Sequence, residues 1–285
     1  FLLQNLLLAA LLAAVLWGTV MPLVTGLLGG QRVVGASYYE RVSTPLFAAL
    51  LLLLAAGPLL PWRRPSRRSL RALAWPLAGF AAAAAVLLAA GVRSPGGIAV
   101  LALLAAAATT ALREYGLALR RPGRLLANRR RYAAYLAHLG FIVLAAGIAG
   151  SHLWQQRVDV TLAPGQSVQV GSDRLTYLGS AVSDQPDYQA TVARLQLGDE
   201  ILEPARHVYS GQGGQAVTKV AIRSTPFEDL YVVLAGTDSG GASITAFENP
   251  LVTWIWAGAA ILVLAVLFGN LSAPPPRVRP EPLRR

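Results

Sequence analysis

Six long apolar stretches dictate what this chain can become. They run near Leu2 to Leu28, Pro45 to Trp62, Ala72 to Val92, Ile98 to Leu112, Tyr132 to Trp154 and Pro250 to Asn270. Hydrocarbon offers no water to backbone N–H and C=O groups, so such runs fold as helices that satisfy those groups internally. A spanning helix needs about 20 residues, so the second and fourth runs are expected to extend past these limits. With 54% hydrophobic residues, 14% charged residues and a mean hydropathy of +0.49, the composition is wrong for a soluble domain of 285 residues. The predicted fold class is a polytopic α-helical membrane protein of about six transmembrane helices, with an extracytoplasmic all-β domain inserted between the last two.

Loop charge orients the spans. Arg63, Arg64, Arg67, Arg68 and Arg71 follow the second run; Arg113, Arg120, Arg121, Arg124, Arg129, Arg130 and Arg131 follow the fourth; Arg277, Arg279, Arg284 and Arg285 lie in the last stretch. All fall on one side, which is therefore cytoplasmic, together with both ends of the chain as given. The net charge of +11 sits where anionic lipid head groups attract it, so it does not point to nucleic acid. Between Gln155 and Glu248 the balance reverses to eleven acidic against six basic residues, and this segment faces the opposite side. The expected organisation is a five-span bundle over 1–154, a periplasmic or extracellular β-sandwich or barrel over 155–248, a final transmembrane helix over 249–271 and a basic Pro/Arg-rich cytoplasmic tail over 272–285. The expected location is the bacterial inner membrane.

Zero cysteines exclude a thiol role for this chain, whether disulfide exchange or thiolate ligation. Phe1 opens directly in an apolar run without a charged flank, and the single Met is Met21 inside that run. This pattern is unlike a signal peptide, and further sequence is expected upstream. The outer segment reads as eight short strands near 158–162, 167–170, 174–178, 188–197, 200–209, 216–223, 230–234 and 242–247, from alternating apolar residues and turn signals such as Pro164-Gly165 and Gly171-Ser172-Asp173. Gly211, Gly213 and Gly214 read as a loop, since no helix pattern follows them.

Ionisable side chains inside spans face a bundle interior, a proton path or a cofactor, which singles out His138. It lies about 9 Å past Tyr132 along a helix. Ala134, Ala145 and Ala149 share its face, with Phe141 and Ile142 at the edges. Ala137, Gly140, Gly147 and Ser151 form a second small-residue stripe, read as helix packing. A structural hydrogen bond, a proton relay and metal ligation all remain open for His138 on these grounds. His152 stands about 21 Å further along the same helix, too far to share one metal ion, and with Trp154 it suits the head-group belt. His207 belongs to the outer segment.

The run Asn128-Arg-Arg-Arg-Tyr-Ala-Ala-Tyr-Leu-Ala-His138-Leu-Gly resembles the segment around a transmembrane histidine in CcmF, the haem lyase component of system I cytochrome c maturation. Three more stretches agree: Trp17-Gly-Thr-Val-Met-Pro with Tyr38-Tyr39, Arg41-Val and Gly57-Pro-Leu-Leu; Ile222-Arg-Ser-Thr-Pro-Phe-Glu-Asp-Leu-Tyr-Val-Val-Leu; and Asn249-Pro-Leu-Val-Thr-Trp-Ile-Trp. The chain departs from the family's pattern at Ala36-Ser-Tyr-Tyr-Glu40, at Ala133-Ala134 where the family has glycines, and at Lys219. The resemblance implies the C-terminal part of an enzyme that attaches haem to apocytochrome c. It implies that His138 is an axial ligand to the iron of a structural haem b, with the second ligand supplied from outside this chain, and that electrons reach that haem from a quinol. It places the periplasmic haem-handling site upstream, so no catalytic residue is expected here and the chain alone is expected to be inactive. Implied partners are the N-terminal part of the same lyase, a haem chaperone, apocytochrome c and its thiol-reducing partners, and the membrane. A non-catalytic assembly scaffold and a proton-coupled transporter are the alternatives from other classes.

Overall fold

The computed structural model describes residues 2–30, 34–60, 66–120, 123, 127–209, 216–238 and 240–270. Its helices are α1 (Leu2–Leu27), α2 (Ala36–Ala56, followed by a 3-10 turn over Gly57–Leu59), α3 (Arg67–Ala72), α4 (Ala74–Ala89), α5 (Pro95–Leu119), α6 (Arg129–Leu153) and α7 (Val252–Asn270). Among the described residues six helical segments are long and apolar enough to cross a membrane. The two short runs do extend. Helix α2 begins at Ala36 rather than Pro45, because its polar start is held on α1. The Tyr38 hydroxyl donates to the Ala14 carbonyl at 3.1 Å. The Tyr39 ring lies so close to Gly18 that a Cβ there would sit 2.6 Å from its hydroxyl. Helix α5 continues past Leu112 to Leu119, with Glu114 ion-paired to Arg113 and Arg131.

The chain divides into two compact units. In the helical unit, residues 1–142 and from 259 onward, α5 is the most enclosed helix. Its buried Ala102, Ala106, Ala107 and Ala111 let neighbouring backbones approach closely, the usual basis of helix association in lipid. Gly79 of α4 abuts Thr109, and the buried Thr110 hydroxyl donates to the Ala55 carbonyl of α2 at 2.9 Å. A hydroxyl that finds a carbonyl avoids the cost of an unsatisfied polar group in an apolar interior. At one end of the bundle Ala133 of α6 touches Gly269 of α7.

The second unit, residues 143–258, is a β-sandwich with the adjoining ends of α6 and α7. Strands β1 (Gln156–Leu162), β10 (Ala242–Pro250), β9 (Glu228–Thr237) and β8 (Ala221–Ser224) make one antiparallel sheet in that order. The other runs β2 (Ser167–Val170), β3 (Asp173–Asp184), β4 (Tyr188–Leu197), β6 (Ala205–Tyr209) and β7 (Ala216–Lys219), with β5 (Glu200–Leu202) also pairing β4. Two predicted strands therefore divide. The run 200–209 breaks at Pro204, which has no N–H for a ladder. The run 216–223 breaks at Val220, where the chain leaves β6 and joins β9 in the facing sheet. Inward side chains Leu175, Tyr177, Leu195, Leu230, Val232, Leu234 and Ile244 fill the space between the sheets, as expected for face-to-face packing. The Gly211, Gly213 and Gly214 loop lies outside the described residues.

Candidate functional site

Helix α6 presents two different faces. On one, Gly147 lies against the backbone of α7, where a Cβ would come 2.8 Å from the Ile255 nitrogen, and Gly150 receives the Leu251 side chain. Gly140 and Gly147 are buried, so this stripe is the packing surface. His138 points elsewhere. Its imidazole is half-buried, its neighbour one turn earlier, Ala134, is exposed, and Ala145 and Ala149 are partly exposed.

Among the described residues the His138 imidazole forms no hydrogen bond or ion pair; its close aromatic neighbour is Tyr135, edge-on at 6.2 Å. Tyr135 is buried and carries the Arg131 guanidinium over its ring at 5.9 Å. Arg131 in turn binds Glu114 of α5 at 3.1 Å, and the Tyr115 hydroxyl donates to the Tyr132 carbonyl at 2.6 Å. The result is a column, Glu114, Arg131, Tyr135 and His138, anchored to α5 at its charged end and finishing in an imidazole free to act as donor, acceptor or ligand. Sequence reading found His138 but not this column. Its only trace in the sequence is the helical spacing of 131, 135 and 138, which brings such side chains together.

The other histidines are separate. His152 is exposed at the far end of α6 beside Trp154. His207 lies on β6, its ring stacked on Tyr188 at 4.5 Å with Tyr209 alongside. No cluster of three or more His, Asp or Glu able to hold a metal ion occurs among the described residues.

A further group was not anticipated. At the end of the sandwich where β1 leaves α6 and β10 enters α7, the inward-facing row is Gln156, Glu248, Leu230 and Arg223. The apolar core thus gives way to charge. Arg223 pairs with Asp173 of the facing sheet and with Glu228 at 3.5 Å, while Glu248 rests against Gly171. Burial, reinforced by the neighbouring Glu228 and Asp173 carboxylates, raises the Glu248 carboxyl above the ordinary glutamate range. Just beyond, Leu251 takes a left-handed backbone with φ of 63°, a conformation that costs a non-glycine residue about 1–3 kcal/mol. Its N–H donates to the Phe227 carbonyl at 2.6 Å and its side chain fills the space over Gly150, which together hold it there.

Comparison with known proteins places the chain. The model of the CcmF C-terminal β-sandwich matches residues 153–250. CcmF of Pseudomonas aeruginosa is 32% identical over 95% of this chain and 43% of its own length. The solved structure of cytochrome c haem lyase CcmF superposes with a TM-score of 0.79 and 27% identity, over 95% of this chain and 45% of that one. The chain belongs to the CcmF family. It corresponds to the C-terminal part, since the C-terminal β-sandwich of the family is matched here, and it spans less than half the length of the curated relatives it matches. CcmF of Escherichia coli is 29% identical over 93% of the chain, and CycK of Bradyrhizobium diazoefficiens 29% over 99%; both are cytochrome c-type biogenesis proteins. The segments that carry the CcmF resemblance meet in the structure: Gly18 touches Tyr39, and Phe227 binds Leu251.

Proposed function

We propose that this chain forms the C-terminal part of a cytochrome c maturation haem lyase in the bacterial inner membrane, and that His138 is one axial ligand of a haem b held within the membrane. The observation that carries the reading is the His138 imidazole itself: half-buried on a membrane-length helix, with no hydrogen-bond partner among the described residues. A polar group in a span is costly unless something satisfies it, and neutral imidazole is a common metal ligand. The small, exposed Ala134 leaves lateral room beside the ring, so the residues present fit a flat macrocycle whose second ligand comes from elsewhere.

When bound, haem b would supply one-electron chemistry, with its potential set by axial ligands and the low-dielectric shell. The chain's own contribution is positional. Arg131 and Tyr135 brace the helix turn that bears His138, and Gly147 and Gly150 fix α6 against α7 without intruding on the imidazole face. In this reading the sandwich serves on the periplasmic side, where the haem chaperone, apocytochrome c and its thiol-reducing partners meet the lyase, and a quinol would be the electron donor. A proton-coupled transporter is disfavoured because Glu114 is committed to Arg113 and Arg131. A pure scaffold would have no use for the imidazole.

The test compares His138→Ala and His152→Ala in the complete lyase at matched expression, by reduced-minus-oxidised spectra and cytochrome c yield. His138→Ala is expected to lose most of the haem b band and the yield, whereas His152→Ala keeps both. An unchanged band in His138→Ala would sink the assignment.

A further inference from the structure

The tip of the β8–β9 hairpin, Thr225-Pro226-Phe227, is tied to the first turn of α7. Leu251 donates its N–H to the Phe227 carbonyl at 2.6 Å, and the Thr253 hydroxyl donates to the Thr225 carbonyl at 2.7 Å. Because α7 is long and apolar enough to cross the membrane from Val252 onward, these two bonds fix the level of the tip. It sits where that helix meets the bilayer surface.

The side chains suit that level. Phe227 is 68% exposed. Trp254 and Trp256 on the first turns of α7 and Trp154 at the end of α6 are exposed too, and tryptophan marks the membrane–water interface. Charge is arranged to match. The tip carries none, while Asp173, Arg223, Glu228 and Glu248 turn inward at the end of the sandwich, where Arg223 pairs with Asp173 and Glu228 and Glu248 rests against Gly171. A soluble domain end surrounded by water has no reason to hide its charges and expose its phenylalanine; an end resting on lipid does.

We propose that the β8–β9 tip inserts the Phe227 ring into the head-group layer beside α7, docking the base of the sandwich on the lipid surface. This does not depend on haem binding, only on α7 crossing the membrane. The strained Leu251 is part of the device, since its backbone sets the direction in which α7 leaves the sandwich relative to the tip.

The chain has no cysteine, so Phe227→Cys and, as a second site, Pro226→Cys can each carry a bimane fluorophore. Thr237→Cys is the control, about 30 Å away at the opposite end of β9. In phosphatidylcholine/phosphatidylglycerol vesicles containing lipid with a nitroxide near the head group, bimane at 226 and 227 should be quenched at least twofold more than at 237, with the order reversed for aqueous iodide. Iodide quenching at 227 equal to that at 237 would show the tip free in water and overturn the proposal. Protection from both quenchers would overturn it equally, by showing that another part of the lyase, and not lipid, covers the ring.

Discussion

Replacing Gly171 by alanine tests how the two sheets close over the charged end of the sandwich. Gly171 has φ of +57° and, uniquely among the positive-φ glycines described, its missing Cβ would fall on the Glu248 carboxylate. Gly165, with φ of +85° and open space around it, is the matched control for backbone strain alone. For Gly165→Ala, left-handed strain of about 1–2 kcal/mol is partly offset by the lost flexibility of the unfolded chain, about 0.4–1 kcal/mol, leaving about 1 kcal/mol. Gly171→Ala adds the displacement of a packed carboxylate, about 1–3 kcal/mol by analogy with overpacked interiors. Hydrogen exchange at the buried amides of Leu230, Val232 and Leu234 reads the sandwich separately from the helices. Protection there should fall about fivefold for Gly165→Ala, and by a further factor of about 5–150 for Gly171→Ala, at about tenfold per 1.4 kcal/mol. Adding Glu248→Ala to Gly171→Ala should remove the excess and leave the strain. Equal effects at the two glycines, or no rescue by the second substitution, would refute the close approach of Gly171 to Glu248.

The raised Glu248 carboxyl makes the sandwich respond to pH in the sense opposite to a salt-bridged acid. The folded state holds its proton more tightly than the unfolded state, whose glutamate titrates near 4.5, so this contribution is complete below that value and is lost as pH rises through the folded-state value. Glu248→Gln should flatten the decline in sandwich stability above pH 4.5; a profile unchanged by the substitution would remove Glu248 from the account. The arginine asymmetry gives a topology test. Thr237→Cys should react with an impermeant thiol reagent applied to intact cells, while Arg120→Cys, at the opposite end of the described charge pattern, should react only after lysis.

The spans were legible because an apolar run in lipid has one solution, and the strands because half-buried sheets alternate. That the second run had to extend was legible from its length, but not that α2 would start at Ala36: its first turn is polar in sequence, and only packing shows that Tyr38 and Tyr39 dock it on α1. At the sandwich, Pro204 and Val220 divide runs that alternation alone leaves continuous. His138 stood out by being a histidine among leucines and alanines; the residues that brace it lie at helical spacing on α6 and across on α5, and only tertiary packing selects them. The charged end was invisible for a different reason. Asp173, Arg223, Glu228 and Glu248 come from four strands of two sheets, and no local pattern marks acids that will be enclosed together.

The pairing of β1 with β10 has a consequence for the helices on either side of the sandwich. Those strands run together from Gln156 opposite Glu248 to Leu162 opposite Ala242, and Gln155 donates its side-chain amide to Asn249 at the root of the pair. The cost of joining two helices by a flexible loop grows with the logarithm of its length. Here the zipped strands shorten the effective loop to the few residues on either side of that root, Trp154 and Gln155 on one strand and Asn249 to Leu251 on the other. To α6 and α7 the whole inserted sandwich is equivalent to a tight turn, so a domain of some ninety residues adds almost nothing to the entropy of bringing the two helices together.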